Sequence, residues 1–327
     1  MPELPEVEVV RRGIAEAALG RRVLGARLFR SDFLEVVAED TRGEPAPRDV
    51  TQERTTQGPR MMGGALLLEG MRIARVERHG KQIAVCAEDG AGRASRVTRY
   101  MDAGFGPCLV VQLGMSGEVI VERSGENHSR ATERTAHVHA QWELDDGSRV
   151  LFRDPRRFGG LTWLAGPEQL RERWGALGPD ALAIVGEQLA AGLGRTARAI
   201  KAALLDQRVL AGVGNIYADE ALFRAGIGPR RRADRLGPDE VERLAAAIRA
   251  VLAEAVGAGG STIQGYRDPS GQAGSYQRSH LVYGRAGESC VRCGQRLRQS
   301  TIAQRTTVWC PRCQSGAARG RSGRRGG

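Results

Sequence analysis

Met1-Pro2-Glu3-Leu4-Pro5-Glu6-Val7-Glu8-Val9-Val10 opens the chain. It reads first as the start of a helix. Proline is tolerated in a first turn because its missing N–H is not needed there, and early carboxylates favour the helix dipole. Val7, Val10 and Ile14 recur at helical spacing, and Gly20 is a stop signal. The same stretch carries a chemical reading. A small second residue permits removal of the initiator methionine, which would leave a secondary amine on Pro2 beside the carboxylate of Glu3. An α-amino group has a pKa of about 8, so part of it is unprotonated near neutrality. Such an amine forms Schiff bases with aldehydes as catalytic lysines do, and Glu3 is placed to move the proton.

Beyond this first helix, residues 23–164 read mostly as β structure. Ile73, Val76, Ile83, Val85, Leu109, Val111, Leu113, Val119, Val121 and Leu151 lie in short runs bounded by Gly, Asp and Asn. Two polar stretches, 39–64 and 87–107, read as long surface loops. Gly166-Pro167 and Gly178-Pro179 mark a linker over 165–179. Residues 180–257 then turn helical, with an apolar stripe at Val241, Leu244, Ala245, Ile248, Val251 and Leu252. A Gly- and Ser-rich segment follows to 283, and residues 315–327 form a basic tail expected to be solvated.

Cys290, Cys293, Cys310 and Cys313 form C-x2-C-x16-C-x2-C. In a reducing compartment this spacing reads as a zinc site. Four thiolates close a tetrahedron and leave no open position, so the zinc is structural. Cys86 and Cys108 sit among apolar residues and read as buried free thiols.

The 327 residues allow two or three domains, and the formal net charge of +11 favours an anionic polymer as partner. There is no apolar run of about 18 residues to span a membrane and no signal-like segment, so a cytoplasmic location is expected.

Other stretches are ambiguous one at a time. Gly212-Val-Gly214-Asn215 suits a phosphate at a helix start but also a tight inter-helix turn. Lys81 after Gly80 is a basic residue at a strand start and on its own reads as solvated. Met115 in Leu-Gly-Met-Ser-Gly is either exposed or core. Asp154-Pro-Arg156-Arg157-Phe158-Gly159 joins guanidiniums to an aromatic ring, a combination suited to insertion beside a disturbed base stack.

Taken in order, these stretches resemble one family. Met-Pro-Glu-Leu-Pro-Glu-Val-Glu at 1–8, Gln-Leu-Gly-Met-Ser-Gly at 112–117 and Asp-Pro-Arg-Arg-Phe-Gly at 154–159 carry the resemblance. So do Asp206-Gln207 through Tyr217, Val282-Tyr-Gly-Arg285 and the cysteine module. The chain is similar to the bacterial formamidopyrimidine-DNA glycosylases, which excise oxidised purines such as 8-oxoguanine and then cleave the strand.

The resemblance implies an α+β multidomain fold. Its parts are an N-terminal β-sandwich domain with flanking helices (1–164), a helix-two-turn-helix domain with a lesion-capping loop (180–283) and a four-cysteine zinc-finger β-hairpin (284–314). It implies Pro2 as nucleophile, Glu3 as the acid on the opening sugar, Lys81 for β-elimination and Arg305 for δ-elimination and phosphate contact. Met115, Arg156 and Phe158 would fill the space left by the extruded base. His137, Arg198, Lys201 and Asn215 would contact DNA. A monomer acting on duplex DNA with oxidised purines, holding one structural zinc and requiring no membrane, is the resulting expectation. Departures from the family pattern are the longer 39–64 and 87–107 segments, the tail, and Gln264 where a basic residue is common. The alternatives are an endonuclease VIII-like glycosylase for oxidised pyrimidines and a non-catalytic zinc-ribbon DNA-binding protein. Met115, Arg156, Phe158, Leu4 and the full-length loop at 265–277 argue against the first. Pro2, Glu3 and Lys81 occurring together argue against the second.

Overall fold

The computed structural model describes residues 2–37, 64–88, 105–125, 136–263 and 265–315. Gln264, most of the two loop segments and nearly all of the tail lie outside the described residues. The chain divides into two compact units: 1–176 with 258–275, and 177–257 with 276–327.

In the first unit, helix α1 (Leu4–Ala18) is followed by β1 (Val23–Leu28), β2 (Leu34–Val36), β3 (Ile73–His79), β4 (Gln82–Glu88) and β5 (Phe105–Gln112). Next come β6 (Glu118–Glu122), β7 (Val138–Leu144), β8 (Arg149–Arg153), β9 (Gly160–Leu164) and α2 (Pro167–Gly175). The strands form a four-stranded sheet, β1-β7-β8-β6, and a five-stranded sheet, β2-β9-β5-β4-β3. All neighbours are antiparallel except β2 with β9.

One core joins both sheets to the helix: Val7, Val10 and Ile14 pack with Ile83, Leu109 and Val111 from one sheet and Trp142, Val150 and Phe152 from the other. The period-2 alternation of β4 serves two cores. Ile83 enters this one, whereas Ala84 and Cys86 face a second cluster with Cys108, Val110 and Leu170 of α2. Cys86 and Cys108 are buried free thiols paired across β4 and β5.

Three expected boundaries shift. The linker read at 165–179 contains α2, because Pro167 sits in its first turn, where proline starts a helix as well as it breaks one. The segment 258–275, grouped by sequence with the helical domain, packs with the first unit. Glu6 Oε1 accepts the Ser261 N–H at 2.8 Å, Tyr266 donates to the Glu6 carbonyl at 3.3 Å, and the Tyr266 ring enters the sandwich core. Strands β4 and β5 also run into the predicted 87–107 loop, at 87–88 and 105–107.

The second unit holds α3 (Gly186–Leu193), α4 (Ile200–Leu204), α5 (Asn215–Ala225) and α6 (Pro238–Gly257), then the hairpin β10 (Arg298–Ile302) and β11 (Arg305–Trp309). Helix α5 is buried on nearly every face from Ile216 to Phe223, as expected of a central helix. It ends at Gly226 in the left-handed conformation (φ 72°). Its two buried carboxylates fix their surroundings. Glu220 accepts the N–H groups of Leu281, Val282 and Tyr283, and Asp219 accepts that of Val308 in β11 at 3.0 Å.

Candidate functional site

Pro2 and Glu3 stand just before α1 and are both buried. Glu3 is the N-cap, and a reciprocal capping box holds it. Its carboxylate accepts the Glu6 N–H, while Glu6 Oε2 accepts the Glu3 N–H at 2.8 Å. Because the other Glu6 oxygen holds Ser261, one carboxylate fixes both the catalytic candidate and the loop that follows 258. Sequence reasoning missed Glu6: a Glu three residues after the cap is half of a capping-box signal, but Glu3 is not one of the usual cap residues.

Lys81 lies in the β3–β4 turn beside Gly80, whose positive φ (56°) the tight turn requires. Helix α1 packs on β3 and β4, and a buried ion pair ties it to this turn. Glu8 Oε2 meets Arg78 Nε at 3.0 Å, with side chains only 9% and 8% exposed. Arg78 also donates to the Gly80 carbonyl at 3.1 Å. On the other side of the turn, Gln82 accepts from Arg173 and Trp174 of α2. Burial pushes the Glu8 pKa up, but hydrogen bonds from Arg11, Arg12 and Arg78 prevail and bring it down to about 2.

Met115, Arg156 and Phe158 lie on two adjacent turns. Met115 is 39% exposed and Phe158 57%, so neither is a core residue. The Arg156 guanidinium lies over the Phe158 ring, 4.9 Å from its centroid. His137 is exposed at the start of β7, in the left-handed region (φ 66°).

In the second unit, Asn215 is the first residue of α5, with Gly214 as N-cap. Its buried Oδ1 has no partner among the described residues. Gln207 shapes the turn before it, donating to the Leu205 and Val213 carbonyls and accepting from the Gly212 N–H. Arg198 is half-exposed and pairs with Asp206 at 2.8 Å.

Lys201 departs from expectation. It is fully buried, its ammonium 2.7 Å from Asp219 and donating to the Thr306 carbonyl at 2.9 Å. This placement contradicts a surface phosphate grip. The lysine instead joins α4, α5 and β11. Burial lifts the Asp219 pKa to about 6 despite the ammonium beside it.

Arg305 is exposed and opens β11 directly after the two-residue turn Ala303-Gln304. Both turn residues have positive φ (48° and 56°), as a two-residue hairpin of this hand requires. Behind it, the four cysteine sulfurs lie within 4.8 Å of one another. Cys293 and Cys310 are 3.5 Å apart, and Cys290 and Cys313 3.9 Å. Thiolates bonded at about 2.3 Å to a tetrahedral zinc lie about 3.8 Å apart, so the cluster fits one structural zinc ion.

Comparison with known proteins agrees with this arrangement. Residues 1–161 match the formamidopyrimidine-DNA glycosylase N-terminal domain, 177–267 its H2TH domain, and 287–316 the zinc finger found in FPG and IleRS. The formamidopyrimidine-DNA glycosylase of Laribacter hongkongensis is 36% identical over 318 residues, covering 96% of this chain and all of the relative. The crystal structure of the MutM (Fpg) protein of Thermus thermophilus superposes with a TM-score of 0.71 at 36% identity, covering 97% of this chain and 100% of that one. The Lactococcus lactis Fpg in complex with abasic-site DNA gives 0.73 at 26% identity, covering 95% and 99%. Matched in each of its three modules and along nearly its full length, the chain belongs to the formamidopyrimidine-DNA glycosylase family.

Proposed function

We propose that Pro2, once Met1 is removed, attacks C1′ of an oxidised purine nucleotide in duplex DNA. As a member of its family the chain is a DNA glycosylase of base excision repair and an abasic-site lyase. The observation that carries the assignment is the capping box. It fixes Glu3 at the positive end of α1, with Pro2 immediately outside the helix. The amine displaces the base, which leaves with the C1′–N bond electrons, and Glu3 supplies a proton to the opening sugar. The resulting iminium acidifies the neighbouring C2′–H. Loss of that proton expels the 3′ phosphate, and a second elimination expels the 5′ phosphate. Lys81 acts in the first elimination and Arg305 in the second.

A base inside a duplex is out of reach, so it must be extruded at a cost of a few kcal/mol. Met115, Arg156 and Phe158 enter the vacated space and offset that cost. Asn215, Arg198 and His137 contact the DNA backbone, which sets most of the affinity. The four-cysteine zinc holds the hairpin carrying Arg305 and takes no part in bond-making. A cytoplasmic location fits this role, and no helix among the described residues is long and apolar enough to cross a membrane.

Borohydride trapping on an 8-oxoguanine:C duplex tests the reading. Reduction of the iminium should cross-link protein to DNA through Pro2, and a retained N-terminal extension should abolish the cross-link. Equal trapping with the amine blocked would overturn it.

A further inference from the structure

We propose that Asp154 is a positioning residue that makes the Met115, Arg156 and Phe158 wedge one preorganised body. The proposal rests on the wedge reading given above. Asp154 is completely buried, and all its polar atoms are engaged. One carboxylate oxygen accepts the Ser116 hydroxyl at 2.6 Å and the Arg156 N–H at 3.2 Å. The other accepts the Gly159 N–H at 2.7 Å. Ser116 is next to Met115, and Arg156 and Gly159 bracket Phe158. A single carboxylate therefore holds the two turns that carry the three exposed side chains.

The Asp154 backbone completes the arrangement. Its N–H donates to the His137 carbonyl at 3.0 Å, and its carbonyl accepts from Arg157 N–H at 3.3 Å and from His139 Nε2 at 2.8 Å. His137 and Arg157 are both non-glycine residues in the left-handed region (φ 66° and 58°), a conformation that persists only where surroundings impose it. The turns also touch backbone to backbone. A Cβ on Gly114 (φ 60°) would lie 2.4 Å from the Phe158 carbonyl, and one on Gly159 would lie 2.5 Å from the Gln112 carbonyl oxygen.

A wedge on flexible turns would spend its stacking energy on ordering itself. One held in place delivers that energy to base extrusion. Met115 and Phe158 make the contact with the base stack, and Asp154 acts through them.

Asp154→Asn tests this, because asparagine keeps the size but offers one acceptor oxygen to donors that used two. Ser116→Ala, which releases only the Met115 turn, is the milder second variant. Each is measured by single-turnover excision from an 8-oxoguanine:C duplex and by 2-aminopurine fluorescence beside the lesion, which reports unstacking. Each is then repeated in a Met115→Ala/Phe158→Ala background, with melting curves alongside.

Slowing of extrusion by about tenfold or more is expected for Asp154→Asn, and less for Ser116→Ala. Each should cost clearly less once Met115 and Phe158 are gone, Arg156 being the one wedge side chain left for Asp154 to place. Equal cost in both backgrounds, or normal extrusion in folded Asp154→Asn, overturns the positioning role. Should Asp154→Asn fail to fold, normal extrusion in Ser116→Ala overturns it. Full-speed extrusion by Met115→Ala/Phe158→Ala overturns the wedge reading itself, a separate outcome.

Discussion

Glu8 of helix α1 and Arg78 of strand β3 form a buried ion pair at 3.0 Å, and the same guanidinium holds the carbonyl of Gly80, the residue before Lys81. The helix that Pro2 and Glu3 immediately precede is thereby tied to the turn that carries Lys81. The pair also sets an acid limit. The folded-state pKa of Glu8 is about 2, against an ordinary 4.5. Its stabilisation is fully present above pH 4.5 and is lost as pH falls through 2. Glu8→Gln should cost roughly 3 kcal/mol at pH 7. The difference between urea melts of the two proteins should shrink as pH falls below 4.5 and close only near pH 2. A constant difference from pH 7 to pH 3 would show that the pair's ionisation is not what stabilises.

Lys81→Ala should lower excision of 8-oxoguanine more than cleavage of a preformed abasic site, because the Pro2 iminium can carry the eliminations on its own. Parallel assays on the two duplexes check this. Equal losses count against a part for Lys81 in base release, and no loss on either leaves it without a part in the chemistry.

Lys201→Met should behave as a core substitution. Removing the ammonium strands a buried carboxylate, which costs about 3–5 kcal/mol, and takes a donor from the Thr306 carbonyl in β11. Adding Asp219→Asn removes the stranded charge and should recover much of the loss. The salt dependence of DNA binding should keep its slope in the folded double variant, since no phosphate contact has been removed. A slope reduced by about one would restore the phosphate-gripping role.

Lys201 also marks where the sequence stops being legible. Ile-Lys-Ala-Ala-Leu reads as a basic position near a glycine turn, and only the fold brings Asp219 and Thr306 around it. Helix α2 was hidden because Gly166-Pro167 signals a break and a helix start equally well. The 258–275 segment lacks an apolar period of its own, so its attachment to Glu6 and the sandwich core depends on partners far away in the chain. What could be read locally was the apolar alternation of the strands, the stripe of α6 and the cysteine spacing, each set by neighbours within a few residues. Asp154 lay in plain view inside a motif, yet its bonds to Ser116 and Gly159 require two turns to be folded together.

Cys290→Ser or Cys310→Ser should release zinc and abolish DNA binding, because four thiolates at tetrahedral spacing support the hairpin that presents Arg305. The first unit has a sandwich core of its own, so its circular dichroism and its share of the melting transition should survive. Metal analysis that finds no zinc in the wild-type chain, or undiminished binding after chelation, would sink this.

Phe158→Ala separates the wedge from the packing explanation. Phe158 is 57% exposed and carries the Arg156 guanidinium over its ring. Its truncation should therefore change folding stability by no more than about 0.5 kcal/mol, as at other surface positions. Affinity for undamaged DNA rests on phosphates and should change little. Excision is different, because the ring is expected to stack where the base has left. Loss of such stacking is worth roughly 1–3 kcal/mol, which corresponds to a rate loss of about fivefold to over a hundredfold. Stopped-flow excision beside a melting curve and a binding titration gives the three numbers together. A slow enzyme with an unchanged melting point and near-normal binding supports the wedge. A lower melting point with a proportionate loss of every activity would make Phe158 a structural residue and remove the aromatic arm from the extrusion mechanism.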